Sequence, residues 1–215
     1  YFVSLEVEDG HGCKDETDGT DIAIVNCNPT ASFIVPDVCF DPSGISGTNT
    51  SVFTSTSTLV TTTPPSFITN YQYSFIDPVY GPQDLYLNPA TWTFGAPGVF
   101  PVMLTITDNQ TPGCSSIFQE DAVVRALPEV SFTAPEVCEG DFTTLTASST
   151  TASSFSVLWN ITPTTTGNYW PIGCVSCEFN NPTNYQFDHA SVSHFVDLTL
   201  TETLNGLSCS NSFSE

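Results

Sequence analysis

"HFVDLTLTETLNGLSC", His194–Cys209, has two echoes upstream: "YFVSLEVEDGHGC" over Tyr1–Cys13 and "VFPVMLTITDNQTPGC" over Val99–Cys114. Each opens on an aromatic residue within its first two positions, alternates apolar with polar side chains, and turns through a glycine into a cysteine. Alternation of this kind is the mark of a β-strand with one face buried. The closing cysteines stand 101 and 95 residues apart, close to the length of one small β-sandwich domain.

Other landmarks recur in the same order. "SFIVPDVC" (Ser32–Cys39) matches "SFTAPEVC" (Ser131–Cys138), and "NPATWTF" (Asn88–Phe94) matches "NPTNYQF" (Asn181–Phe187). Between them lie short alternating runs separated by Pro, Gly, Asn and Asp, and no stretch holds a 3.6-residue period long enough for a helix. The reading is all-β, a tandem of Greek-key sandwiches. Predicted strands are Ala31–Val35, Ser51–Thr58, Tyr71–Ile76, Thr91–Phe94, Phe100–Thr107 and Ile117–Arg125 in one unit. In the next they are Ser131–Ala134, Phe142–Ser148, Phe155–Ile161, Tyr185–Phe187 and Phe195–Thr201. The expected division is 1–28, the last two strands (Phe2–Val7, Asp21–Val25) of a preceding or partner domain; 29–127, a whole domain; and 128–215, a domain lacking its last strand.

Two Lys+Arg against 23 Asp+Glu give a net charge of −21. Such a surface repels nucleic-acid phosphates and anionic lipid heads, so neither partner is expected. Eight cysteines in a chain poor in lysine point to an oxidising, extracellular compartment. No apolar run is long enough to span a membrane as a helix. The sequence begins without Met and inside a repeat, and reads as a processed chain or a window from a longer one.

The order of "SFxxPxVC", an aromatic-rich strand ("YQYSF", "VLWNI"), "NPxxxxF", "FxVxLTxTD" and "GC" resembles tandem PKD-type domains, the immunoglobulin-like modules of large secreted bacterial surface proteins of the Bacteroidetes kind. The family's "WDFGDG" stands here as "YSFIDP" at Tyr73–Pro78 and "WNITPT" at Trp159–Thr164. The resemblance implies a non-catalytic role as stalk, spacer or adhesive surface, with neighbouring repeats or like subunits as partners and surface glycans or proteins as ligands.

Recurrence suggests pairing Cys39 with Cys114 and Cys138 with Cys209 inside each domain. Strand direction suggests otherwise, because the two cysteines of one sandwich would sit at opposite poles, farther apart than a disulfide reaches. In a head-to-tail tandem Cys39 would meet Cys209 across the junction, Cys13 and Cys138 would seek partners outside this stretch, and Cys114 would meet an upstream cysteine or Cys27. Both schemes stay open on sequence. Cys174 and Cys177, in "CVSC", lack the helix of a redox motif and the second ligand pair of a zinc site, and read as a local loop-closing disulfide.

Asp15, Glu16, Asp18 and Asp21 in "KDETDGTD" read as a solvated acidic turn or, less simply, a calcium loop. Tyr169, Trp170 and Ile172, in an insertion of the second unit, are the candidate ligand-facing loop, with Tyr80 and Tyr86 as a second aromatic pair. Trp92 and Trp159 read as core. His11, His189 and His194 are scattered, with no catalytic spacing, nucleotide loop or cofactor motif around them. Asn49, Asn109 and Asn160 carry glycosylation sequons. Two further roles are compatible with this pattern: an accessory binding region of a secreted hydrolase, and a fibre subunit that donates strands from residues 1–28.

Overall fold

A computed structural model describes residues 4–16, 28–42, 49–59, 65–111, 113–138, 140–163, 181, 183–186 and 194–215. All regular elements among them are strands: β1 (Glu6–Glu8), β2 (Lys14–Glu16), β3 (Phe33–Ile34), β4 (Val38–Phe40), β5 (Thr50–Ser55), β6 (Ile68–Asp77), β7 (Gly81–Leu85), β8 (Ala90–Thr93), β9 (Gly98–Asp108) and β10 (Ser115–Ala126), then β11 (Ser131–Thr133), β12 (Phe142–Ser148), β13 (Ser156–Pro163), β14 (Thr183–Gln186), β15 (His194–Leu204) and β16 (Leu207–Ser214). No helix among the described residues is long and apolar enough to cross a membrane.

The strands form sandwich-like pairs of sheets. The sheet β3-β5-β8 and the sheet β4-β10-β9-β6-β7 contribute to one core, and β11-β12-β14 and β13-β15-β16 contribute to another. The first core is mostly aromatic. Phe33, Phe53, Tyr73, Phe75, Phe94 and Phe100 are buried, with Phe33 edge-on to Tyr73 at 5.4 Å and Phe94 stacked on Phe100 at 4.6 Å. Burial pushes the Tyr73 phenol up to about 12, and its hydroxyl donates to Asn88 Oδ1. The second core gathers Leu145, Ala147, Trp159, Ile161, Val196 and Leu198, with Phe132 edge-on to Trp159 at 5.5 Å. The two clusters share no residue.

The echoing strand β9 buries Phe100, Val102, Leu104 and Ile106 and turns Val99, Pro101 and Met103 outward. Its counterpart β15 buries Val196, Leu198 and Leu200, yet leaves Phe195 56 % exposed. "FPVML" has one residue more than "FVDL" between the aromatic and the shared leucine, and with a period of two a single residue changes the face. The aromatic landmark therefore does opposite work in the two copies. The "NP" landmark does the same work in both: Asn88 Oδ1 accepts from Ser55 N at the end of β5, and Asn181 bonds both backbone groups of Ala147 in β12.

The prediction that the chain ends before a last strand is corrected. Leu207–Ser214 runs antiparallel to β15 over its whole length, as β10 does beside β9. "LSCSNSFS" carries few apolar residues, so alternation alone does not reveal it. Donation of residues 18–26 to complete another subunit loses its premise. In the first hairpin β1 pairs with Lys14–Glu16, directly after Cys13, so the expected acidic turn is in part strand; Asp21–Val25 lies outside the described residues. Val7 in this hairpin is 58 % exposed, whereas its counterparts Ile106 and Leu200 are buried. Besides β2 and β16, two further strands are missed in the sequence: β4, whose three residues are too few for a period, and β7, which contains Gly81 and Pro82.

Asp77, in "YSFIDP", is fully buried and pins the first unit's two sheets together. Its Oδ1 accepts from the backbone N–H of Val79 and Tyr80, and its Oδ2 accepts from Trp92 Nε1 and Gly95 N. Burial opposes ionisation, but these donors outweigh it, Val79 N foremost, and hold the carboxyl below its ordinary value. A depressed folded-state value stabilises the fold above the unfolded value and is lost as pH falls through the folded one. Asp77→Ala is expected to cost about 3 kcal/mol in urea denaturation at neutral pH, since it leaves buried N–H groups without acceptors. The gap to wild type should narrow as pH falls below the carboxyl's ordinary 3.8; a gap that does not change with pH would contradict this role.

Candidate functional site

The one disulfide among the described residues lies where the first core's sheet meets the β15–β16 hairpin. The triplet "VCF" of β4 lies parallel to the end of β10, with Val38 beside Val124, Cys39 beside Arg125 and Phe40 beside Ala126. Cys39 is thereby placed where the first sheet gives way to the second unit. On the other side, Asn205 (φ 53°) and Gly206 (φ 84°) form a two-residue turn that sets Leu204 opposite Leu207 and Cys209 opposite Glu202. Asn-Gly suits such a turn because both positions need positive φ.

Cys39 and Cys209 form a disulfide with a Cα–Cα distance of 5.6 Å, and both are buried. Of the two schemes open on sequence, the structure has the cross-junction one for this pair. Cys114 immediately precedes β10, and eleven residues of extended chain separate it from Arg125, the neighbour of Cys39. That is about 36 Å of strand, far beyond disulfide reach. Around the bond, Arg125 pairs with Asp37 at 3.2 Å, both partly buried, and Asn211 Nδ2 donates to Pro128 O in the connecting segment. A groove of about 430 Å³ between the units is lined by Val99, Val123, Arg125, Glu202 and Leu204.

The counterparts of this pair are free. Cys114 is a half-buried thiol, and Cys13 and Cys138 are exposed thiols. The first two sit in turns of another design, longer and capped by an acid. Asp9 Oδ1 accepts from His11 N and Cys13 N, and Asp108 Oδ1 accepts from Gln110 N and Cys114 N. Cys138 follows the same "SFxxPxV" run as Cys39. β16 pairs with β15 over eight residues, whereas β10 pairs with β9 over ten and runs two residues further to hold β4; that overhang has no described counterpart beside Cys138.

Cys27, Cys174 and Cys177 lie outside the described residues, as do Tyr169, Trp170, Ile172, Asp18, Asp21 and His189. Asp15 and Glu16 are exposed residues of β2, and no group of three His, Cys, Asp or Glu side chains suited to a metal occurs among the described residues. Tyr80 and Tyr86 are about three-fifths exposed, and Tyr80 stands edge-on to Trp92 at 5.8 Å. Trp159 is fully buried on β13, and Trp92 packs half-buried against the first core. His11 is exposed in the β1–β2 turn, and His194 opens β15.

The sequons differ in access. Asn49 is buried with Oδ1 and Nδ2 both bonded to the backbone of Asp41, so the folded chain does not present it for glycosylation. Asn109 Oδ1 accepts from Phe67 N, and Asn160 Nδ2 donates to Asp197 Oδ2 within the sheet.

No protein-family model and no curated protein matches this chain.

The bond closes a loop with a sequence separation of 170, and loop-closure entropy alone gives it a stabilising effect of about 5 kcal/mol. A non-reducing peptide map should recover Cys39 linked to Cys209, and Cys209→Ser should lower the urea midpoint by an amount that reduction of the wild type reproduces. A Cys39–Cys114 peptide would overturn the arrangement.

Proposed function

We propose that this chain is a stretch of an extracellular repeat protein of the PKD-like, immunoglobulin-like kind, built as two tandem Greek-key modules and part of a third, and that it acts as a load-bearing stalk or filament presenting binding loops. The observation that carries the reading is the Cys39–Cys209 bond, which links β4, in a sheet that backs the first core, to β16, in a sheet that backs the second. Beyond its stabilising effect, such a link gives a protein that bears tension a covalent shortcut.

Pulled from its ends, the oxidised chain transmits force from Tyr1 to Cys39, across the sulfur bridge, and on from Cys209 to Glu215. The strands from β5 to β15 stay off the line of tension, while β3, which carries Phe33 of the first core, lies on it. The acidic, cation-poor surface suits a protein held extended among like copies, since like charges oppose lateral association. The same bond supports an oxidising location outside the cell.

Single-molecule stretching between the termini tests this. The oxidised chain should extend by no more than about 160 Å, the span of the residues outside the bridge, and the reduced chain by about 770 Å. Unfolding steps of full length in the oxidised chain would refute the load-bearing role.

A further inference from the structure

The outward face of the five-stranded sheet carries a shallow groove that the stalk reading does not use. It has a volume of about 430 Å³, and its lining includes Ile76, Pro82, Pro101, Met103, Ser74 and Asp84. Strand register builds it. Asp84, Ser74, Met103 and Gln119 lie in one row across β7, β6, β9 and β10, and Pro82 stands beside Ile76 on the next row. Ile76 is 70 % exposed and Met103 40 %, on a face where sheets normally set polar residues.

The groove has a fixed charge at its wall. Asp84 Oδ1 accepts from Ser74 Oγ at 2.6 Å and from Gln72 Nε2 at 3.2 Å, so the carboxylate is held in place against the aliphatic floor. These two hydrogen bonds, Ser74 first, also keep its carboxyl below the ordinary value. Asp121, exposed and directly opposite Pro101 on β10, adds a second negative charge near the groove's other side.

We infer that this groove docks a lysine- or arginine-bearing extended segment of a different protein, the aliphatic stem lying over Ile76 and Met103 and the cationic head meeting Asp84. Charge complementarity selects that occupant. The chain has only two cations of its own, and both are engaged: Lys14 with Glu6 and Glu8, and Arg125 with Asp37. A second copy would bring a further net −21 and no free cation to the face. Long basic side chains combine an apolar stem with a charged head, which matches a floor and wall of this kind.

Met103 is the chain's one methionine, so its methyl group is a single reporter at the groove floor. The chain labelled with methyl-¹³C methionine is titrated with acetyl-Lys-Val-Lys-Val-Lys-amide and with its Glu-Val-Glu-Val-Glu counterpart. The Met103 signal should move saturably with the basic peptide, more weakly at high salt, and not with the acidic one. Asp84→Asn should weaken the response about threefold to tenfold, and Ile76→Ser should weaken it as well while the spectrum stays folded. A Met103 signal that the basic peptide leaves unmoved, equal responses in wild type and Asp84→Asn, or equal responses to both peptides would overturn the inference. So would a Met103 shift that appears on concentrating the chain alone, which would give the face to a second copy. None of these readouts depends on the stalk reading.

Discussion

The Cys39–Cys209 bond depends on a hydrogen-bonding detail three residues long. β4 joins the end of β10 in parallel, and this carries Cys39 away from the pole where Cys114 sits and delivers it to the junction. Were Val38–Phe40 to pair elsewhere, the thiol would face solvent as Cys138 does. The tight Asn205–Gly206 turn completes the arrangement by bringing Cys209 to meet it. A short parallel strand and a two-residue turn thus convert two separate cores into one covalently closed body.

Each core rests on alternation along its strands. β9 and β15 put Leu104 and Leu198, Ile106 and Leu200, on their inner faces, and these four residues are fully buried. Polar groups then fix the edges of the layers. Asp77 satisfies four donors, one from Trp92 on β8 and three from the backbone of Val79, Tyr80 and Gly95, and Asn88 and Asn181 tie the ends of β5 and β12 to the segments that follow. Unpaired polar groups in these places would cost more than the bonds return, which makes them sensitive points of the fold.

Much of this was legible from residues. The all-β class follows from alternation, the alternating run Phe142–Ser148 coincides with β12, and strand direction, against the recurrence of the motif, points Cys39 to Cys209. What escaped did so for physical reasons. β4 is shorter than two periods of alternation, so no pattern can announce it. β7 contains a proline, which is tolerated because β7 is an edge strand. β16 is written in Ser and Asn because it too is an edge, with little to bury. The inversion of Phe100 and Phe195 came from one inserted residue, a change that leaves the motif recognisable while turning its aromatic side chain around. The groove over Met103 was illegible because it is assembled from four strands by register, and no local stretch contains it.

The central claim is that one sulfur bridge sets the relation between the two cores. Pulsed electron–electron resonance between spin labels on exposed Thr91 of β8 and exposed Thr144 of β12 measures it directly, with every cysteine other than Cys39 and Cys209 replaced by serine. A narrow distance distribution in the oxidised chain that broadens severalfold on reduction is the predicted result. Equal widths in the two states would show that the bridge does not govern the junction.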